Sequence, residues 1–167
     1  MTDTVDVVEF EIGGELYAMD IQLAREIVEM IPITPLPRAP EYISGIINLR
    51  GEITTVLTIS ELIGIKKKKE GNTQKIIILV PEASGGSNVG IIVDDVLSVI
   101  QVSRDSIEQI EGTISTGGGQ YIKGIIKTRL ETGEMLKRSG ESDERSGLIL
   151  WLDIEKILRE LVDLKAN

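Results

Sequence analysis

The chain has 167 residues, enough for one compact domain or two closely joined subdomains that bury roughly 70% of the unfolded surface. It contains no His and no Cys, which removes the commonest transition-metal ligands, Ser-His and Cys-His nucleophile pairs and any disulfide; no metal, cofactor or catalytic residue is expected. A formal charge of −9 argues against nucleic acid as a partner, because phosphates call for a concentrated basic surface.

In chain order, residues 7–12 alternate apolar and polar, Gly13-Gly14 signals a two-residue hairpin, and 16–19 return. Another apolar run spans 27–30. Pro32, Pro35, Pro37 and Pro40 then force extended or turn geometry. Strands at 42–48 and 53–57 flank Leu49-Arg50-Gly51-Glu52, a turn or bulge in which Gly51 supplies a permissive backbone. Thr58 and Glu61 form a capping box for a short helix. The lysine run at 66–72 reads as a solvated loop, or else as a contact for anionic lipid or an acidic partner.

The second half keeps the rhythm. Residues 76–80 suit a strand buried on both faces, 85–88 turn, 89–93 return, and 96–102 give a further strand. Residues 103–108 read as a helical turn with Ser103 as N-cap. A glycine connector follows at 116–119, and 131–147 is expected to be a mobile inserted loop. Asp153 caps a final helix whose apolar face carries Ile154, Ile157, Leu158, Leu161 and Leu164, ending near Lys165. No apolar run approaches the ~20 residues needed to cross a bilayer and the start is acidic, so a soluble intracellular protein without membrane insertion is expected.

One passage occurs twice. Glu41-Tyr-Ile-Ser-Gly-Ile-Ile-Asn-Leu-Arg50 and Gln120-Tyr-Ile-Lys-Gly-Ile-Ile-Lys-Thr-Arg129 agree at six of ten positions, and each leads to an apolar strand and a helix cap, Thr58 in one and Asp153 in the other. The chain therefore reads as a duplicated β-rich module, with copies over roughly 7–64 and 76–164. The signal is firm for the second portion of each half and weak for 7–30 against 76–102. Gly45 and Gly124, at one place in the two copies, are read as points of close backbone approach.

Phe10-Glu-Ile-Gly-Gly-Glu-Leu-Tyr17, Met19-Asp-Ile21, Ile33-Thr-Pro-Leu-Pro37, Tyr42 through Gly51, Val89-Gly-Ile-Ile-Val-Asp94 and Leu150 through Leu158 together resemble, in order, the CheW chemotaxis coupling family. The most specific element is Tyr-Ile-x-Gly-Ile-Ile-Asn-Leu-Arg-Gly. The resemblance implies an all-β fold, a pair of five-stranded SH3-like barrels with exchanged segments, short helices and a C-terminal helix. It also implies a non-enzymatic adaptor joining the cytoplasmic tip of methyl-accepting chemoreceptors to the regulatory domain of the histidine kinase CheA, in arrays beneath the membrane, with self-association in rings as a further mode. Carried over by motif, the receptor-binding residues are Ala24, Glu26, Arg50, Gly51 and Ile53; the kinase-binding residues stay unassigned. The chain departs from the family pattern with Thr55 and Thr58 where Pro and Asp are usual, with Ala24 for a commoner Val, and with the long 131–147 segment.

Other readings stand beside this one. Arg50 could brace its turn through backbone carbonyls, Glu26 could be an ordinary solvated charge, and Ile53 by itself reads as core. Residues 30–33 could anchor the kinase or lie buried between the barrels. A freestanding regulatory-domain-like module of a chemotaxis kinase is the nearest alternative. An oligonucleotide-binding barrel lacks basic and aromatic surface, and the Asp94-Asp95 pair would need a bulge to share one substrate.

Overall fold

The computed structural model describes residues 3–60, 62–64, 74–108, 120–127 and 147–165, with 162–165 described by backbone alone. The lysine run, Glu61, the 116–119 connector, Arg129, residues 131–146 and the Leu164 side chain lie outside the described residues. The first half contributes β1 (Thr4–Ile12), β2 (Glu15–Asp20), β3 (Ala24–Glu29), β4 (Ile43–Leu49) and β5 (Glu52–Leu57). The second contributes β6 (Lys75–Leu79), β7 (Val89–Val93), β8 (Asp95–Ser103), β9 (Ile107–Glu108), β10 (Ile122–Lys127), β11 (Leu148–Leu152) and α1 (Ile154–Lys165).

Two sheets result, ordered β8-β1-β2-β11-β10-β9 and β3-β6-β7-β5-β4. Their registers match residue for residue. Gly45 faces Val56 and Gly124 faces Trp151 across the two hairpins, and each hairpin then pairs in parallel with a strand from the opposite half, Val56 with Gly90 and Trp151 with Ala18. By this register β1 and β2 correspond to β6 and β7, and β3 to β8, including a bulge at Arg25 in one and Leu97 in the other. The duplication thus reaches the portions where sequence similarity is weak. Each sheet takes one early hairpin from one half and the later strands from the other, which is the segment exchange expected for the fold.

Both sheets close. The chain leaving β3 returns to β4, where Thr34 and Ile46 exchange backbone hydrogen bonds of 2.9 and 2.8 Å. At the equivalent place β9 pairs with β10, Glu108 opposite Ile125. This corrects the helical turn expected over 103–108: Ser103 does cap a 3₁₀ turn, accepting from the Asp105 amide at 3.3 Å, but that turn ends at Ser106 because Ile107 and Glu108 complete a barrel. Closure also explains the repeated glycines. A Cβ at Gly45 would stand 2.3 Å from the Thr34 carbonyl oxygen, and one at Gly124 would stand 2.7 Å from Ile107 Cγ2.

Three apolar clusters follow from the alternation of the strands. Ile47, Val56, Ile76 and Ile78 fill the first barrel, and Val7, Ala18, Val102, Ile126, Ile149 and Trp151 the second. The largest lies between them, with Val8, Phe10, Met19, Ile77, Leu79 and Ile91, and α1 seals it with Ile154, Ile157, Leu158 and Leu161. The four apolar residues Ile76 to Leu79 are buried on both faces, as their unbroken run predicts. Ile31 and Ile33 pack on the first barrel's own cluster rather than between the barrels; they belong to the strand-like segment that closes that barrel.

The two cap positions are equivalent in their backbone pairing. Thr58 and Asp153 donate their amides to the carbonyls of Tyr42 and Tyr121, at 2.8 and 2.7 Å. Asp153 Oδ1 accepts the Lys156 amide at 3.0 Å and starts α1, whereas the Thr58 hydroxyl pairs with that of Ser44 and a single turn follows, Ile63 to Ile59.

Candidate functional site

The turn between β4 and β5 has two central residues, Arg50 and Gly51, with φ of 51° and 87°, and Leu49 pairs with Glu52 across its base. Positive φ at both positions is the mirror-image turn whose twist suits a hairpin, and it favours Asn-Gly. Here the first position holds an arginine, in a region disfavoured for residues with a Cβ. Asn48 Oδ1 accepts the Gly51 amide at 2.9 Å and braces the turn. The Arg50 guanidinium donates instead to the Glu26 carboxylate on β3.

Barrel closure is what brings β3 beside this turn, since β3 and β4 are at opposite ends of the sheet order. Two further ion pairs cross or follow the seam, Arg25 to Glu52 at 3.5 Å and Arg25 to Glu26 at 3.8 Å. Next along β5, Ile53 is 59% exposed, against the core reading of that residue taken alone. It sits on the outer face of β5 because Thr54 and Val56 turn inward. Ala24 is half-buried and packs against the cluster between the barrels.

The structure therefore brings Glu26, Arg50, Gly51 and Ile53 to one edge, with Ala24 two residues from Glu26 and mostly committed to packing. Glu26 is ion-paired with its side chain only 25% exposed, so it is not an ordinary solvated charge. Arg25 and Glu52 were not singled out in the sequence. Their pairing depends on a bulge that turns Arg25 out and on closure of the sheet, and no local pattern signals either.

The arrangement suits recognition: a preset guanidinium, an alternating set of charges and an exposed aliphatic side chain. A separate apolar cleft of about 260 Å³ lies between the β4–β5 hairpin and α1, lined by Tyr42, Ile43, Thr55, Leu57, Val89 and Leu158. Asp94, of the Asp94-Asp95 pair, is buried and accepts the Gly13 amide at 2.7 Å, latching the β1–β2 turn to the end of β7. Among the described residues no group of three or more acidic side chains is placed to hold a metal ion, and no helix is long and apolar enough to cross a membrane.

The sequence model of the CheW-like domain matches residues 6–162. The chain belongs to the CheW family of chemotaxis scaffold proteins. The chemotaxis protein CheW of Thermotoga maritima is 30% identical over 156 residues, covering 93% of this chain and 89% of that one. CheW of Treponema pallidum is 32% identical over 122 residues, 72% of each chain. The crystal structure of the scaffolding protein TtCheW from Thermoanaerobacter tengcongensis has the same fold, with a TM-score of 0.70 at 32% identity over 91% of this chain and 89% of that one. CheW similarity thus extends over both barrels and into α1.

Proposed function

We propose that this chain is a non-enzymatic adaptor that couples the cytoplasmic tips of chemoreceptors to the regulatory domain of the kinase CheA, in arrays beneath the membrane. Its receptor-facing surface is the edge formed by Glu26, Arg50, Gly51 and Ile53, with Ala24 at its inner border. The observation that carries this is the Arg50 turn: a guanidinium held in a disfavoured backbone conformation and oriented by Glu26, beside an aliphatic side chain left 59% exposed. Neither feature improves the isolated fold, and strained, exposed groups of this kind gather where a partner binds. A planar multi-donor group suits carboxylates or helix-end carbonyls of a receptor tip, and Ile53 offers the apolar contact for a helix face. Residues 7–64 and 76–164 are read as pseudo-repeats of one functional unit.

The test is binding of the purified chain to two probes, a receptor-tip fragment and the CheA regulatory domain, both from the organism that encodes it. Wild type is expected to bind both, and Arg50→Glu to lose the receptor tip alone while staying folded. Pairwise affinities of micromolar grade agree with the reading, since arrays gain strength from multivalency. Binding of neither probe at high micromolar concentration refutes it.

A further inference from the structure

We infer that Arg25 and Glu52 set the charge preference of the proposed receptor-facing edge. The segment that fits it carries a basic side chain opposite Glu52 and a carboxylate opposite Arg50, around an apolar residue on Ile53. This rests on the coupling function proposed above and specifies the chemistry of the partner.

Glu52, Arg25, Glu26 and Arg50 form a chain of alternating charge across the seam. The two inner side chains are 35% and 25% exposed and neutralise one another, while the outer two, Glu52 and Arg50, are 54% and 64% exposed and face solvent. The edge therefore presents a negative end beside Ile53 and a positive end at the turn. Arg25 is a positioning residue, held between the carboxylates of Glu26 and Glu52.

The second barrel supplies an internal control. By register, Arg25, Glu26 and Glu52 correspond to Leu97, Ser98 and Gly147. That barrel closes with no charge at any of the three places, its own exposed ion pair, Lys127 to Glu108 at 2.6 Å, standing elsewhere on the seam between β10 and β9, so closure does not require charges at these three places. Its apolar exposures recur, Val99 and Leu148 standing where the first barrel has Ile27 and Ile53. An aliphatic rim is thus common to both barrels, and the charge chain is particular to the first. Exposed ion pairs add little to stability, whereas opposed charges across an interface govern partner choice and association rate, and like charges reject wrong partners.

The experiment compares wild type, Glu52→Arg, Arg25→Glu, the double exchange Arg25→Glu/Glu52→Arg, and Arg50→Glu, for binding to the receptor-tip fragment at low and high salt. All are expected to keep the wild-type unfolding midpoint. Glu52→Arg is expected to bind about tenfold more weakly at low salt, with the gap narrowing at high salt as exposed charges are screened. The double exchange rebuilds the pair between positions 25 and 52, though not the one between Arg25 and Glu26, with its outer charge inverted, and is expected to stay weak. Recovery of wild-type affinity in the double exchange would make the pair a seam brace and overturn the inference. If Glu52→Arg binds like wild type while Arg50→Glu does not, this inference falls alone; if wild type fails to bind the tip, the coupling function falls and takes it along.

Discussion

Gly45 and Gly124 sit in the same Tyr-Ile-x-Gly-Ile-Ile context, yet an alanine at the two places should cost different amounts. At Gly45 φ is +147°, where a Cβ is strained whatever the space, and the added atom would meet backbone, the Thr34 carbonyl oxygen at 2.3 Å and its carbon at 2.8 Å. Backbone strain of about 1–3 kcal/mol and overpacking of about 1–3 kcal/mol add to roughly 2–6 kcal/mol, a large share of a typical 5–15 kcal/mol. Gly124 has no positive φ, and its new Cβ would press on side chains, Ile107 Cγ2 at 2.7 Å and Trp151 Cε3 at 3.2 Å. Side chains can give way, so about 1–2 kcal/mol is expected there. Denaturant unfolding followed by far-UV circular dichroism gives both values without depending on Trp151 emission. An equal cost at the two sites, or less than about 1 kcal/mol at Gly45, would refute the claim that closure against Thr34 selects that glycine.

Arg50→Asn should leave unfolding free energy unchanged or raise it by up to about 1 kcal/mol, since Asn tolerates the left-handed region and the exposed pair with Glu26 is worth little. The same variant should lose receptor-tip binding, and a stability loss above about 1 kcal/mol would show that Arg50 braces the fold instead. Asp20 accepts the Trp151 indole N–H at 2.7 Å and pairs with Lys123 at 3.2 Å, so Asp20→Ala should cost about 1–3 kcal/mol and shift Trp151 emission; unchanged emission and stability would count against that network. Burial first, and then the charge of Glu15, pushes Tyr17 up to about 12; burial first, and then its hydrogen bond and charge contact with Glu160, does the same to Tyr121. Because the unfolded chain ionises these phenols near their ordinary value of 10.0 and the folded chain only near 12, their contribution is complete below pH 10 and is lost as pH rises towards 12. Unfolding midpoints measured across that window should fall in wild type and fall less in Tyr17→Phe/Tyr121→Phe.

The alternation of 7–12, the Gly13-Gly14 turn, the unbroken run at 76–80, whose strand ends one residue early at Leu79, and the Asp153 cap were legible because each rests on neighbours within a few residues, where periodicity and capping act. The repeated Tyr-Ile-x-Gly-Ile-Ile passage likewise disclosed a duplicated module, and the ordered motifs its family. Ile53 was ambiguous in sequence because an apolar residue in a strand faces in or out according to its sheet, and this sheet turns Thr54 and Val56 inward. Ile107 and Glu108 read as the end of a helical turn because their partner strand lies at Ile125 and Ile126, across the barrel.

By itself the sequence determined the strand-rich class, the repeat, the Asp153 helix cap and the placing of Arg50 on a glycine turn, all properties of local pattern. Only the tertiary structure decided which half lends strands to which barrel, which glycine is confronted by backbone, and that Arg25, Glu26, Arg50 and Glu52 share one seam. The physical reason is closure: when a sheet curls until its first and last strands meet, side chains about 25 residues apart become neighbours, and no spacing along the chain records that meeting.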